Sequence, residues 1–270
     1  MRTLRKAWAF FQKDLLSESS YRLSFVMQLG GILFSALTLY FLSRLFGQTK
    51  LPFLEPYGGS YFAFVLIGVA FGGYLQVALN SFASCVREAQ TLGTLEALLV
   101  TQTSIAEIIL FSSIFSFVVT SLRVLTFILV GILLLGVDLG RANYVSALTM
   151  LVLTIAAFSM IGILSASFIM VFKRGNPMNW LFVSLSWLVG GVFYPVAVLP
   201  EWLQKVAHVL PLTYALEGMR MALLQGHGLV QLSGCIVPLL LFTAAGLPLS
   251  LLAFGAAVRR AKMHGSLAHY

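Results

Sequence analysis

Charge is what this 270-residue sequence has least of: 10% of its residues are Asp, Glu, Lys or Arg, while 59% are hydrophobic. Soluble domains carry about 25% charged and about 45–50% apolar residues, so an ordinary soluble fold is excluded. The chain reads as a polytopic membrane protein. Acidic residues number only nine, and each falls at or near the end of an apolar run. An ion-driven carrier keeps carboxylates inside its spans for proton or sodium relay, and that chemistry is missing. The two cysteines, Cys85 and Cys235, lie in or beside apolar runs and offer neither a disulfide framework nor metal spacing. His208, His227, His264 and His269 are scattered without ligand spacing. No glycine-rich loop ending in Gly-Lys-Ser/Thr occurs, so the chain has no phosphate loop with which to hydrolyse ATP itself. No serine stands in a Gly-x-Ser-x-Gly elbow, and an enzyme acting on lipid would lack a nucleophile, a base or a metal cluster. What is left looks like a passive pathway that something else drives.

The formal net charge of +8 comes from basic residues at the ends of apolar runs rather than on one soluble face. That distribution fits membrane topology and not nucleic-acid binding. Arg2, Arg5 and Lys6 precede no short apolar core with a small-residue cleavage site, so the start does not read as a cleavable signal.

At about 20 residues per span the chain accommodates about six helices and no second soluble domain. A single transmembrane domain over 1–270 is expected, all-α and polytopic. In residues 1–18, Leu4, Trp8, Phe11 and Leu15 step by four, three and four, while Arg5, Lys6, Lys13 and Asp14 take other faces. This predicts a helix lying in the membrane interface. The predicted spans are 21–46, 58–84, 105–136, 143–172, 178–194 and 229–258. The second contains Gly68 and Gly72, a small-xxx-small pattern that suits close helix approach between chains or packing within one. The fifth is short and ends at Tyr194-Pro195, where proline cannot continue a helix without losing a hydrogen bond. Residues 196–228 are broken by Pro200 and Pro211 yet rich in apolar and aromatic side chains. They predict two short helices, near 200–209 and 212–225, re-entering the outer leaflet with their irregular backbone satisfied by protein or water. An amphipathic loop resting on the surface fits the same composition.

Residues 87–104 are the longest polar-bearing stretch between two spans. Leu92, Leu95, Leu98 and Leu99 recur at spacings of three and four, which predicts a short amphipathic helix. Ser104 and Glu107 form a capping-box pattern for the next span. A solvated loop suits the same residues. With both termini cytoplasmic, the inside holds Arg2, Arg5, Lys6, Lys13, Arg22, Arg87, Lys173, Arg174, Arg259, Arg260 and Lys262, and the outside only Arg44, Lys50, Arg141, Lys205 and Arg220. This positive-inside bias places 87–104 in the cytoplasm. One charge, Arg123, falls within a span; at an insertion cost of roughly 2.5–3.5 kcal/mol it calls for a partner or a wet cavity. Gln28, Gln76, Asn80, Ser184 and Ser186 are the other candidates for a polar pathway, although such groups also bond between packed helices.

Gly93-Thr-Leu-Glu96-Ala-Leu-Leu before the third span, Gly190-Gly-Val-Phe-Tyr-Pro195, Leu199-Pro-Glu-Trp202 and Pro211-Leu-Thr-Tyr214 through Arg220 together resemble the integral-membrane permeases of the type-2 class of ABC (ATP-binding cassette) exporters. The resemblance covers the whole chain in order. It implies an interfacial N-terminal helix, six spans, a cytoplasmic coupling helix over 87–104 and re-entrant helices over 196–228. It further implies that two copies pair, each docking a separate ATPase subunit that binds Mg-ATP. Arg87, Glu88, Gly93, Thr94, Leu95 and Glu96 would then form the coupling surface. Tyr194, Pro195, Pro200, Trp202, Pro211, Tyr214 and Arg220 would form the outer gate, and the first, second and fifth spans would line the pathway. The segment Lys173-Arg-Gly-Asn-Pro177 is closer to the drug- and amphiphile-exporting branch than to the glycan exporters of the class. A bacterial inner-membrane location follows. An exporter of lipid-linked polysaccharide and an ion-driven carrier are the alternatives.

Overall fold

A computed structural model describes residues 8, 9, 11, 12, 15, 16, 22–45, 52–91, 105–172 and 177–263. Among these residues every regular element is helical, and the fold is an all-α polytopic one. The helices are α1 (Arg22–Leu45), α2 (Tyr61–Thr91), α3 (Ile105–Leu133), α4 (Tyr144–Phe172), α5 (Pro177–Val189), α6 (Glu201–Ala207), α7 (Pro211–Leu224) and α8 (Ser233–Met263), with 3-10 turns at Pro52–Tyr57 and Val196–Val198. Five of them, α1, α2, α3, α4 and α8, are long and apolar enough to cross a membrane.

The α2 helix is the axis. Its 31 residues extend about 46 Å at 1.5 Å per residue, more than the hydrocarbon core requires. Positive-φ glycines at 58 and 59 turn the chain into it. Ser60 caps it, Oγ accepting the Ala63 N–H at 3.3 Å and the carbonyl accepting the Phe64 N–H at 3.1 Å. Phe64, Leu66, Ile67, Tyr74 and Phe82 are buried along its length, because α1, α3, α4, α5 and α7 all pack on it. The α4 helix approaches closely because position 162 is glycine: a Cβ there would stand 2.4 Å from the Ala78 carbonyl oxygen. Asn143 caps α4 through Oδ1, which accepts the Ser146 N–H at 3.1 Å, and α8 packs along α4.

Several boundaries depart from the sequence reading. The second span was expected to stop at 84, but α2 runs to Thr91. Arg87 and Glu88 therefore stand on its last turns rather than on a separate helix beginning at 87. Gly93, Thr94, Leu95 and Glu96 lie outside the described residues, as do the side chains of Arg87 and Glu88. The fifth span was expected to reach Tyr194, but α5 ends at Val189. Gly190 makes the last helical bond, to the Ser186 carbonyl at 2.7 Å, and Gly191 takes φ 83°, a left-handed conformation that only glycine adopts without cost. Glycine thus stops the helix before proline can. At 13 residues, α5 measures about 20 Å and is too short to cross a core of about 30 Å by itself. The last helix begins later and ends later than expected, at Ser233 and Met263, and carries Pro238 and Pro248 inside it. Of the N-terminal segment, Trp8 stacks on Phe11 with ring centroids 5.6 Å apart, and Phe11 meets Phe115 of α3 edge-on at 5.5 Å.

Candidate functional site

The α2 helix is enclosed on most of its circumference and open along one stripe. Gln76, Asn80 and Ser84, four residues apart, are exposed on that stripe, and Gly73 above them has open space where a Cβ would be. At 100° per residue the stripe falls between the side of α2 that takes α5, marked by Gly68, Gly72 and Leu79, and the side that takes α3, marked by the Tyr74 hydroxyl donating to Ser121 Oγ at 2.8 Å. The α5 helix borders it, with Ser184 exposed. Ser186 points elsewhere: it is buried at 1% exposure, so its hydroxyl belongs to the packing of α5 and not to the stripe.

Asn179, which the sequence reading passed over, holds α5 in place. Its Oδ1 accepts the Ser165 hydroxyl of α4 at 2.7 Å, and its Nδ2 donates to the Leu79 carbonyl of α2 at 3.4 Å. The only sequence signal was an amide two residues after Pro177 in an otherwise apolar helix.

Gln28 and Arg123, 95 residues apart, are brought together across the seam of α1 and α3, where Arg123 Nε donates to Gln28 Oε1 at 3.0 Å. The in-span arginine thus has the partner its cost demanded, and it remains exposed on the bundle surface.

The predicted gate residues gather between α5 and α8. Val192 presses against α2, and a Cβ at Gly68 would lie 2.2 Å from its carbonyl oxygen. Gly72 likewise receives the Trp187 ring. The small-xxx-small pattern is therefore spent on packing within the chain. The Tyr194 hydroxyl folds back to donate to the Leu188 carbonyl, and Pro195 is buried behind it. Pro200 leads into α6, and Trp202 is 66% exposed on the outside of that short helix. Pro211 occupies the first turn of α7, where its missing N–H costs nothing. Side chains satisfy the irregular backbone between the two helices: Gln204 Nε2 donates to the Leu199 carbonyl at 2.8 Å, Thr213 Oγ1 to Ala207 at 2.6 Å, and the Tyr214 hydroxyl to His208 at 2.9 Å.

Two contacts give the direction of α7. Its last turn meets the start of α4, where the Asn143 N–H donates to the Ala222 carbonyl at 2.9 Å. Its first turn places Tyr214 against Phe242, with ring centroids 6.5 Å apart. Phe242 lies nine residues into α8, about 14 Å along that helix. The helix therefore descends into the bundle rather than resting on its end.

Arg220 is the residue that binds this segment to the axis. From sequence it is expected on the outer side of the membrane and in the outer gate; its side chain is buried, at 3% exposure. Nε donates to the Phe64 carbonyl at 3.1 Å and Nη2 to the Val192 carbonyl at 3.0 Å, while the guanidinium carbon sits 3.5 Å from the centre of the Phe64 ring. One planar cation thus spans α7, the start of α2 and the turn after α5, which a lysine could not do. Among the described residues no group of His, Cys, Asp and Glu side chains could hold a metal ion.

No curated protein matches the chain. The family model described as ABC-2 type transporter matches residues 6–224, and its last matched residue is the last residue of α7. That match extends over most of the chain and takes in every element from α1 to the Arg220 helix; the protein belongs to the ABC-2 type transporter family, as a transmembrane permease whose family works with an ATPase subunit.

Proposed function

We propose that the chain is the permease of an ATP-driven exporter, moving a hydrophobic or amphipathic molecule outward between two identical copies, each docked on a separate ATPase subunit that binds Mg-ATP. The supporting observation is the stripe of Gln76 and Asn80. A primary amide left without a partner in hydrocarbon costs roughly 2–7 kcal/mol, and two such groups one turn apart on the best-packed helix of the bundle do not belong against lipid chains. They belong against water or a second polar surface, which a cavity between two copies supplies. Ser184 of α5 extends the same wall. In this reading Arg87, Glu88, Gly93, Thr94, Leu95 and Glu96 form the coupling surface for the ATPase on the cytoplasmic side, where both termini lie, in a bacterial inner membrane. Residues 196–228 re-enter from the outer leaflet, and the segment that Arg220 anchors closes the pathway outside. Membership of a family that works with an ATPase favours this mechanism over an ion-driven one. An amphiphile suits a wall that alternates amides with apolar residues such as Val77 better than a sugar polymer does.

Labelling tests the stripe. Gln76→Cys and Asn80→Cys, each in a chain whose Cys85 and Cys235 have been changed to Ser, are exposed to a membrane-impermeant maleimide in vesicles, with Leu122→Cys on the exposed face of α3 as the lipid-facing control. Labelling at 76 and 80 but not at 122, reduced when substrate is supplied, is the expected result. Positions 76 and 80 remaining as unreactive as 122 would remove the pathway from this face.

A further inference from the structure

At the loop end of the bundle the chain forms an open-mouthed cavity of about 420 Å³ between the end of α1, the turn over 52–60, the α3–α4 loop and the end of α7. Its polar lining is Tyr40, Tyr57, Ser60, Asp138 and Arg141, and Phe62 and Leu224 give it an apolar side. The α2 stripe contributes nothing to it, so it is a place apart from the proposed pathway. Its volume falls within the roughly 300–1,000 Å³ of small-molecule sites.

The polar groups are not already satisfied by one another. Arg44 donates from Nε at 3.1 Å and from Nη2 at 2.6 Å to the Tyr40 phenol oxygen, which occupies that oxygen as an acceptor and leaves its O–H free to donate. Ser60 Oγ accepts the Ala63 N–H, which leaves its hydroxyl proton in the same position. Burial, with Glu217 nearby, raises the Tyr57 phenol above its ordinary value, so it too is a donor at neutral pH. Asp138 gives one carboxylate oxygen to the Gly140 N–H at 2.8 Å and keeps the other. Arg141 lines the same cavity, yet among the described residues its side chain makes neither an ion pair with Asp138 nor any other hydrogen bond. A backbone reason holds it there: a Cβ at Gly226 would stand 2.1 Å from the Arg141 carbonyl oxygen, so the α3–α4 loop is seated against the loop after α7.

The cavity therefore offers a guanidinium and three hydroxyl donors to an anionic group, and an uncommitted carboxylate oxygen to a cation. A purely anionic ligand would leave Asp138 opposed, and a purely cationic one would leave Arg141 opposed; like charges brought together at a binding surface are costly and set specificity. We propose that this cavity binds a small zwitterion, with an ammonium a few bonds from a phosphate or carboxylate. Arg141 holds the anionic group through the paired N–H geometry of a guanidinium, the Tyr40, Tyr57 and Ser60 hydroxyls donate to it, and Asp138 takes the ammonium. At the end of a membrane bundle that chemistry has two sources, the headgroup of an aminophospholipid and a free solute such as phosphoethanolamine.

The test uses the full chain, its Asp138→Asn and Arg141→Gln variants, and two probes. Asn keeps the oxygen that accepts the Gly140 N–H and loses only the charge, and both side chains are exposed, so both variants fold. In the first arm, protein from micelles with equal phosphatidylethanolamine and phosphatidylglycerol is examined by native mass spectrometry for retained lipid. In the second, phosphoethanolamine and inorganic phosphate are titrated onto protein in discs free of aminophospholipid, with binding read by calorimetry. A lipid source gives several-fold preference for phosphatidylethanolamine, at least fivefold reduced in Asp138→Asn, with retention of both lipids reduced in Arg141→Gln. A solute source gives phosphoethanolamine binding at least tenfold tighter than phosphate, with the preference lost in Asp138→Asn and binding lost in Arg141→Gln. The proposal is overturned by equal binding of zwitterionic and purely anionic probes, by variants that bind as the parent does, or by no binding in either arm.

Discussion

Removing the Arg220 guanidinium would leave the Val192 carbonyl buried without its donor and take a second donor from the Phe64 carbonyl, which keeps its place in the α2 ladder, along with the cation's contact with the Phe64 ring. A buried acceptor stripped of its partner costs about 1–3 kcal/mol, so Arg220→Ala should lose several kcal/mol and lower the thermal unfolding midpoint in detergent clearly. Arg220→Lys keeps the charge but has no planar fork to reach two carbonyls while lying over a ring, and should fall between alanine and the parent. Equal midpoints for all three chains would show that the clasp contributes nothing. The physical point is local. A cation in a membrane protein is tolerated where main-chain carbonyls and an aromatic face take the place of water, and Phe64 supplies both from one residue. Arg123 meets its cost differently, with a side-chain amide and an exposed position. The sequence distinguishes neither environment, because an arginine next to apolar residues looks the same whether it turns inward or outward.

Among the elements, α5 is the one whose length and placement have most consequence. It spans about 20 Å and then stops, and the backbone beyond it crosses α2 at Gly68, with no room for a side chain. A helix this short has too few apolar contacts to fix its own height against α2, and Asn179 supplies the missing register by bonding both α4 and α2. Asn179→Leu is isosteric in its branching and keeps the apolar character of the helix, but it removes both bonds at once. The expected outcome is a loss of about 1–3 kcal/mol from two hydrogen bonds worth roughly 0.5–1.5 kcal/mol each, read as a lower unfolding midpoint with insertion unchanged. Adding Ser165→Ala should then cost less than it costs in the parent, since the bond to Asn179 is already gone; a purely additive further loss would mean that the two side chains do not act through each other.

For the whole molecule, the proposed mechanism requires force to pass from a cytoplasmic contact to the opposite end of the bundle. The α2 helix is suited to that task, because it is continuous from the turn at residue 60 to Thr91 and carries Arg87 and Glu88 on its last turns. Glu96→Ala should therefore uncouple the assembled complex. Transport is expected to fall at least tenfold, about 1.4 kcal/mol or more of lost coupling, and substrate stimulation of the ATPase to disappear, while the chain still inserts and copurifies with its ATPase. Unaltered transport would place the coupling contact elsewhere.

The membrane class, the all-α fold and the family were legible in the sequence, since long apolar runs, basic residues at their ends and short motifs in a fixed order depend on composition and spacing alone. Helix ends were less legible where two stop signals compete: Gly190 and Gly191 end α5 before Pro195 can act, and α2 runs past Arg87 and Glu88, where the polar pattern predicts a new element. The sequence by itself determined that this protein is a bundle of apolar helices with a broken segment before the last one, because the bilayer admits few other solutions. Only the tertiary structure decided which polar residues are paired and which are open. It turned Arg220 inward, joined Gln28 to Arg123, buried Ser186 and left Gln76 and Asn80 exposed. The physical reason is that a side chain's environment is set by neighbours from remote parts of the chain, and no local pattern records which of them will arrive.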